Sequence, residues 1–131
     1  MRRREFTFDL GGQSLQRLIQ HGQLNSPWGV ALAPANWGTL GNKLLIGNFG
    51  NGQINAYDQN TGELFDKMRD PHGQAIVIDG LWSIRFGSNA ADNPNVTPPV
   101  VNRNYGPNTL FFTAGPNDES DGLFGAINPS P

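Results

Sequence analysis

The sequence predicts an all-β fold: antiparallel four-stranded meanders forming part of a β-propeller, about two blades in one chain. Three observations predict it. Glycine (17) and proline (10) are abundant among 131 residues, which leaves little room for long helices. Short apolar stretches alternate with turn signals throughout. And one pattern occurs twice, as "NSPWGVALAP" from Asn25 and as "IDGLWSIRFG" from Ile78. In each copy a turn-prone polar segment leads into a tryptophan and a short apolar strand. The tryptophans, Trp28 and Trp82, would sit on equivalent inner strands and pack between neighbouring sheets.

The elements follow in order. In "EFTFDL", Phe6 and Phe8 alternate with polar residues, as a strand requires. Gly11-Gly12 marks a turn. Leu15, Leu18 and Ile19 have helical spacing, but the meander that follows favours a strand. "WGVALAP" is a short strand ended by proline. "KLLIGNFGNGQINAYD" reads as a hairpin about Asn51-Gly52, a dipeptide suited to tight turns. "DQNTGE" is a further turn, with Gly62 suited to positive φ, and "ELFDKMRD" is a fourth strand. The unit then restarts with "LWSIRFG", "NTLFFTAG" and "GLFGAIN", interrupted by a long loop at 88–107.

A meander sheet cannot bury both faces alone. Stacking a second unit supplies the missing face, so the repeat answers a physical need. The expected organisation is a single domain. Residues 1–24 give the end strands of one blade, 25–70 a complete blade, and 71–131 a further blade with the long loop. Two blades cannot close a ring, and open edges invite pairing with other chains. A homo-oligomer is therefore expected. A trimer is favoured over a dimer, because three chains give about six blades.

Composition limits function. Hydrophobic residues are 37% and charged residues 15%, which excludes a disordered chain. A net charge of −2 argues against nucleic-acid binding. No segment is apolar for long enough to span a membrane as a helix. Arg2-Arg3-Arg4 is followed at once by Glu5 and Asp9, so no signal sequence is expected, and the compartment stays open. The lack of cysteine excludes disulfides and thiol catalysis.

The candidate sites lie on loops. One face of a propeller would gather residues 21–27, 50–51, 70–79 and 115–121. His21, Asn25, His72 and Asp79 occur there, and imidazole and carboxylate can bind a divalent metal or act as acid and base. The alternative is that Asn25, Ser26 and Asp79 hydrogen-bond turn backbone ahead of the tryptophan strands. "NDESDG" concentrates Asp118, Glu119 and Asp121, hard oxygen ligands of the kind that hold calcium; a solvated hairpin tip is the other reading. On the opposite face, Trp37, Val100, Val101 and Tyr105 would either make an apolar contact patch or fold back onto the blade. No nucleophile elbow, phosphate loop or His-Glu-x-x-His motif is present.

The run from "LNSPWGVALAP" through "GNKLLIGNFGNGQINAYDQNTGEL", "DPHGQAIVIDGLWSIRFG" and "NTLFFTAGPNDESDGLFGAI" resembles the C-terminal part of an uncharacterised bacterial family of NHL-like β-propellers. The resemblance covers about Phe6 to Ile127. It implies a propeller, often exported, and no particular activity. It departs from that family in lacking N-terminal blades and in the length of the 88–107 loop. The expected function is a non-catalytic oligomeric binding protein, without a required cofactor, that meets a protein or small molecule through its loops. The alternative is a metal-assisted lyase or hydrolase with Asn25, Asp79 and His72 around a channel ion.

Overall fold

A computed structural model describes residues 4–87 and 106–129. Among the described residues, nine strands form three antiparallel sheets in chain order. β1 (Arg4–Phe8) and β2 (Ser14–Gln20) make the first. β3 (Pro27–Leu32), β4 (Lys43–Asn48), β5 (Ile54–Asp58) and β6 (Leu64–Lys67) make the second. β7 (Leu81–Phe86), β8 (Leu110–Ala114) and β9 (Leu123–Ile127) make the third. Within each sheet, each of these strands pairs with the next in chain order, as in a meander.

The turns follow from their residues. Gly52 (φ 68°) completes the Asn51-Gly52 turn, and Asn51 Oδ1 accepts the Gln53 N–H at 3.1 Å. Asp58 Oδ1 accepts the Asn60 and Thr61 N–H groups at 2.8 and 2.9 Å, with Gly62 at φ 73°. Those backbone donors hold the Asp58 carboxyl below the usual carboxylate range. β2 is a strand despite its helical spacing. A register shift opposite β1, between Glu5 and Phe6, lets the consecutive residues Leu18 and Ile19 both be buried.

Period-two alternation on β4 and β5 explains the stacking. Leu45, Ile54 and Ala56 share one core with Leu81, Ile84, Leu110 and Ala114 of the third sheet. Ile46 and Tyr57 join Leu18, Ile19 and Leu24 in a second core on the opposite face. Leu45, Ile46, Ile54 and Ala56 are all fully buried. The central sheet is thus covered on both sides, by the β1–β2 hairpin in front and by the third sheet behind. Approach from behind is close because Gly29 and Gly47 present no side chain. A Cβ on Gly29 would lie 2.8 Å from Ile84 N, and one on Gly47 would lie 3.0 Å from a Leu81 methyl.

The hairpin covers only the outer part of the front face. β3 therefore corrects one expectation. Trp28 does not pack between sheets: it is 69% exposed, and Val30 and Leu32 on the same side are 51% and 53% exposed. Its counterpart Trp82 lies against the backbone bend at Gly115, where a Cβ would collide with the indole. Two tryptophans at matching positions thus have unlike surroundings, because a different amount of sheet stands before each.

Candidate functional site

Three surface features come from this stacking. The first is the open row Trp28, Val30 and Leu32 on β3, in which Val30 stands opposite Ile46 of the front core in the strand register. The second is the outer face of the third sheet. Ser83, Arg85, Phe111, Thr113 and Phe124 line a depression of about 380 Å³ there, with Phe111 and Phe124 stacked at 5.5 Å. The third is a cleft of about 830 Å³ between β6 and β9, floored by Trp37, Leu40, Met68, Ile76 and Ile127. Its rim carries the Arg69–Asp66 ion pair, 3.2 Å apart and 44% exposed on each side. The guanidinium and the Lys67 N–H hold the Asp66 carboxyl below its usual range.

Behind the hairpin lies a polar core that the sequence pattern did not reveal. Asn48 and Asn55 are fully buried. Asn48 Oδ1 accepts the Asn25 N–H at 3.0 Å, and its Nδ2 donates to Gln23 O at 3.0 Å. Asn55 Nδ2 donates to the same carbonyl at 3.1 Å. These amides tie the segment before β3 to the central sheet. Asn55 Oδ1 and Tyr57 Oη are buried with no hydrogen-bond partner among the described residues. Burial pushes the Tyr57 phenol up, and the nearby Glu5 carboxylate adds to the shift. Glu5 is itself raised by burial. A row of Asn among strand residues looks like turn chemistry in sequence. Its inward alternation with Ile46 and Tyr57 was the available signal.

The structure places the expected site residues on separate turns. His21 is exposed at φ 57°, and its carbonyl accepts the Leu24 N–H at 3.2 Å. Asn25 N–H meets Asn48, and Asn25 O accepts Gly50 N–H at 3.0 Å. His72 is exposed in a turn whose Asp70 carboxylate accepts its N–H at 2.9 Å. Asp79 Oδ2 accepts the Asn117 N–H at 3.0 Å. Asn25 and Asp79, each three residues before a tryptophan, do matching work. Each pins the bend that follows the second strand of its sheet. Asp118, Glu119 and Asp121 lie on an exposed loop with Asn117, Asp118 and Glu119 all at positive φ, and Asp121 Oδ2 accepts Asn117 Nδ2 at 2.7 Å. Among the described residues, no three His, Asp or Glu side chains are grouped to hold a metal ion. No helix among them is long and apolar enough to cross a membrane.

Trp37 does not belong to a surface patch. It is 3% exposed, its Nε1 donates to Asn108 O at 2.8 Å, and its ring meets Phe86 edge-on at 5.2 Å. The indole N–H finds a buried carbonyl, so burying the whole ring costs no unmade bond. Val100, Val101 and Tyr105 lie outside the described residues.

Three uncharacterised proteins of Acanthamoeba polyphaga mimivirus are similar to this chain. One is 34% identical over 120 residues, covering 92% of the chain and 26% of the relative. A second is 31% identical over 120 residues, covering 92% of the chain and 28% of the relative. A third is 31% identical over 77 residues, covering 59% of the chain and 14% of the relative. The chain thus spans little more than a quarter of the length of the first two. No family model matches it, and neither does any solved structure. These findings overturn the resemblance to a bacterial propeller family. The similar proteins are viral, and no propeller family is among the matches. Meander repeats with Trp, Gly and Asn-Gly turns meet needs common to many all-β folds, so local likeness misassigned the lineage.

Proposed function

We propose that this chain is a non-catalytic, propeller-like binding module that works by association through its open sheet faces. The stacking of three meanders in chain order supports a radial arrangement, each sheet covering the next. The observation that carries the reading is the row Trp28, Val30 and Leu32, all more than half exposed on a strand whose other face is packed. Large apolar side chains in a contiguous exposed row mark interaction surfaces in water-soluble folds. Homo-oligomerisation, with three copies contributing sheets to one ring, is the simplest way to cover them.

The loops bearing His21, Asn25, His72 and Asp79 would then supply a face for a small ligand or protein. Their hydrogen bonds serve turns, which favours binding over catalysis. The test is the mass of the purified chain in solution by light scattering. An assembly, at a small multiple of the 14.2 kDa chain mass, is expected. A single-chain mass at every concentration up to millimolar overturns the reading.

A further inference from the structure

We infer that the β1–β2 hairpin is exchanged between copies: the front core of one central sheet receives the hairpin of a second copy, with His21-Gly22 as the hinge. The inference rests on the association reading above and adds the element exchanged and the place where it swings.

The hairpin lies on the central sheet by side chains alone. Among the described residues β1 and β2 pair with each other and with no further strand. Leu18 and Ile19 carry the apolar contact, in one core with Ile46 and Tyr57. Gln16 Nε2 donates to Asn60 O at 3.2 Å, and the Leu18 carbonyl sits over Gly62, where a Cβ would collide with it. The cover is also imperfect. Asn55 Oδ1 and Tyr57 Oη lie behind it without a hydrogen-bond partner among the described residues. Lifting the hairpin returns these groups to water, which offsets part of the apolar contact given up.

The hinge is sharply bounded. The anchored part of the chain begins at Gln23, whose carbonyl accepts Asn48 Nδ2 at 3.0 Å and Asn55 Nδ2 at 3.1 Å. Leu24 is fully buried, and the Asn25 N–H meets Asn48 Oδ1 at 3.0 Å. β2 ends at Gln20. The two residues between, His21 (φ 57°) and Gly22 (φ 58°), are exposed and both left-handed. That conformation is unfavourable for a residue with a Cβ such as His21. An extended hinge relieves it at the loss of one turn bond, from the Leu24 N–H to His21 O at 3.2 Å.

A second copy is the occupant that fits. Its hairpin brings the same Leu18, Ile19 and Gln16, so every contact given up within one chain is remade between two. The hinge is relaxed with no interface lost, which is the condition under which exchange competes with closure. Passed from each copy to the next, the hairpin links a pair or a closed ring alike.

Cross-linking between single-cysteine variants tests the inference. The chain has no cysteine of its own, and Gln16 and Asn60 are both exposed, so Gln16→Cys and Asn60→Cys each carry one thiol on an intact fold, checked by circular dichroism. The two variants are unfolded together in urea, refolded at high concentration and treated with a short bis-maleimide. Exchange places residue 16 of one chain beside residue 60 of another, so a covalent 16-to-60 product of two chains is expected on a denaturing gel, its link located by mass spectrometry. Hinge variants in the same background read the cause. Gly22→Val disfavours the left-handed turn and should raise the yield. His21→Gly removes the strain and should move the equilibrium toward closed single chains by roughly tenfold for each hinge. Wild-type assembly by light scattering together with no 16-to-60 product overturns the inference and leaves the association reading intact. A product whose yield neither hinge variant changes also overturns it, since that marks contact between folded faces. A wild type that stays a single chain and gives no product removes both.

Discussion

Replacing Gly29 by alanine adds one methyl group at the tightest approach between the central and third sheets. The built Cβ lies 2.8 Å from Ile84 N, 3.0 Å from Trp82 O and 3.0 Å from Ile84 Cγ1. Two of these neighbours are backbone atoms and cannot rotate away. The sheets must part by several tenths of an ångström to restore ordinary contact, which loosens Leu81 and Ile84 in the rear core. Overpacking of this kind costs about 1–3 kcal/mol. Gly29 is not among the positive-φ residues, so alanine also brings an opposing gain of about 0.4–1 kcal/mol from the unfolded chain. A net loss of about 1–2 kcal/mol is expected, or roughly 3–10 °C in Tm for a chain of this size. Val30→Ala is the control, one residue along and on the open side. At dilutions where the chain is monomeric it should change stability by about 0.5 kcal/mol or less. Urea unfolding followed by circular dichroism measures both. A Gly29→Ala variant as stable as the wild type, or more so, would refute the close packing of the two sheets.

Trp37→Ala should cost about 3–5 kcal/mol, as truncation of a buried aromatic does, while Trp28→Ala in dilute protein should cost about 1 kcal/mol or less. Comparing their urea midpoints checks the reversal of roles between the tryptophans. Asn48→Ala strands the half-buried Asn25 N–H and removes a second bond to Gln23, a loss of about 1–3 kcal/mol measured the same way. Glu5 gives a pH dependence. Its folded pKa is raised by burial, so its stabilising contribution is complete below the unfolded value and is lost as pH rises through the folded one. Glu5→Gln should therefore gain stability relative to the wild type between pH 4 and pH 7. Unfolding curves at the two pH values check the sign, and an equal difference at both would contradict it.

Strands were legible where alternation and turn chemistry agreed. Leu44, Ile46, Asn51-Gly52, Ile54 and Ala56 specify a hairpin locally, and the restart at Trp82 announced a further sheet. Coverage of a face was not legible. "PWGVAL" and "LWSIRF" look alike, yet Val30 is open and Ile84 is buried, because burial depends on what stands in front of the strand. The choice left open for Trp37, contact patch or folding back onto the blade, turns on Asn108 and Phe86, which come from distant segments. Asn48 and Asn55 fell inside the expected hairpin, but nothing local says that their amides reach the Gln23 carbonyl. His21, Asn25, His72 and Asp79 were rightly placed on turns by composition, but spacing carries no information on whether separate turns converge.

Hydrogen exchange as a function of protein concentration addresses the open face of β3 most directly. Peptides from β4 and β5, in the doubly covered central sheet, should exchange slowly at every concentration. The Pro27–Leu32 peptide should gain protection as concentration rises and a second copy covers Trp28, Val30 and Leu32. Exchange of that peptide unchanged across the same range, or β4 and β5 exchanging as fast as β1, would contradict it.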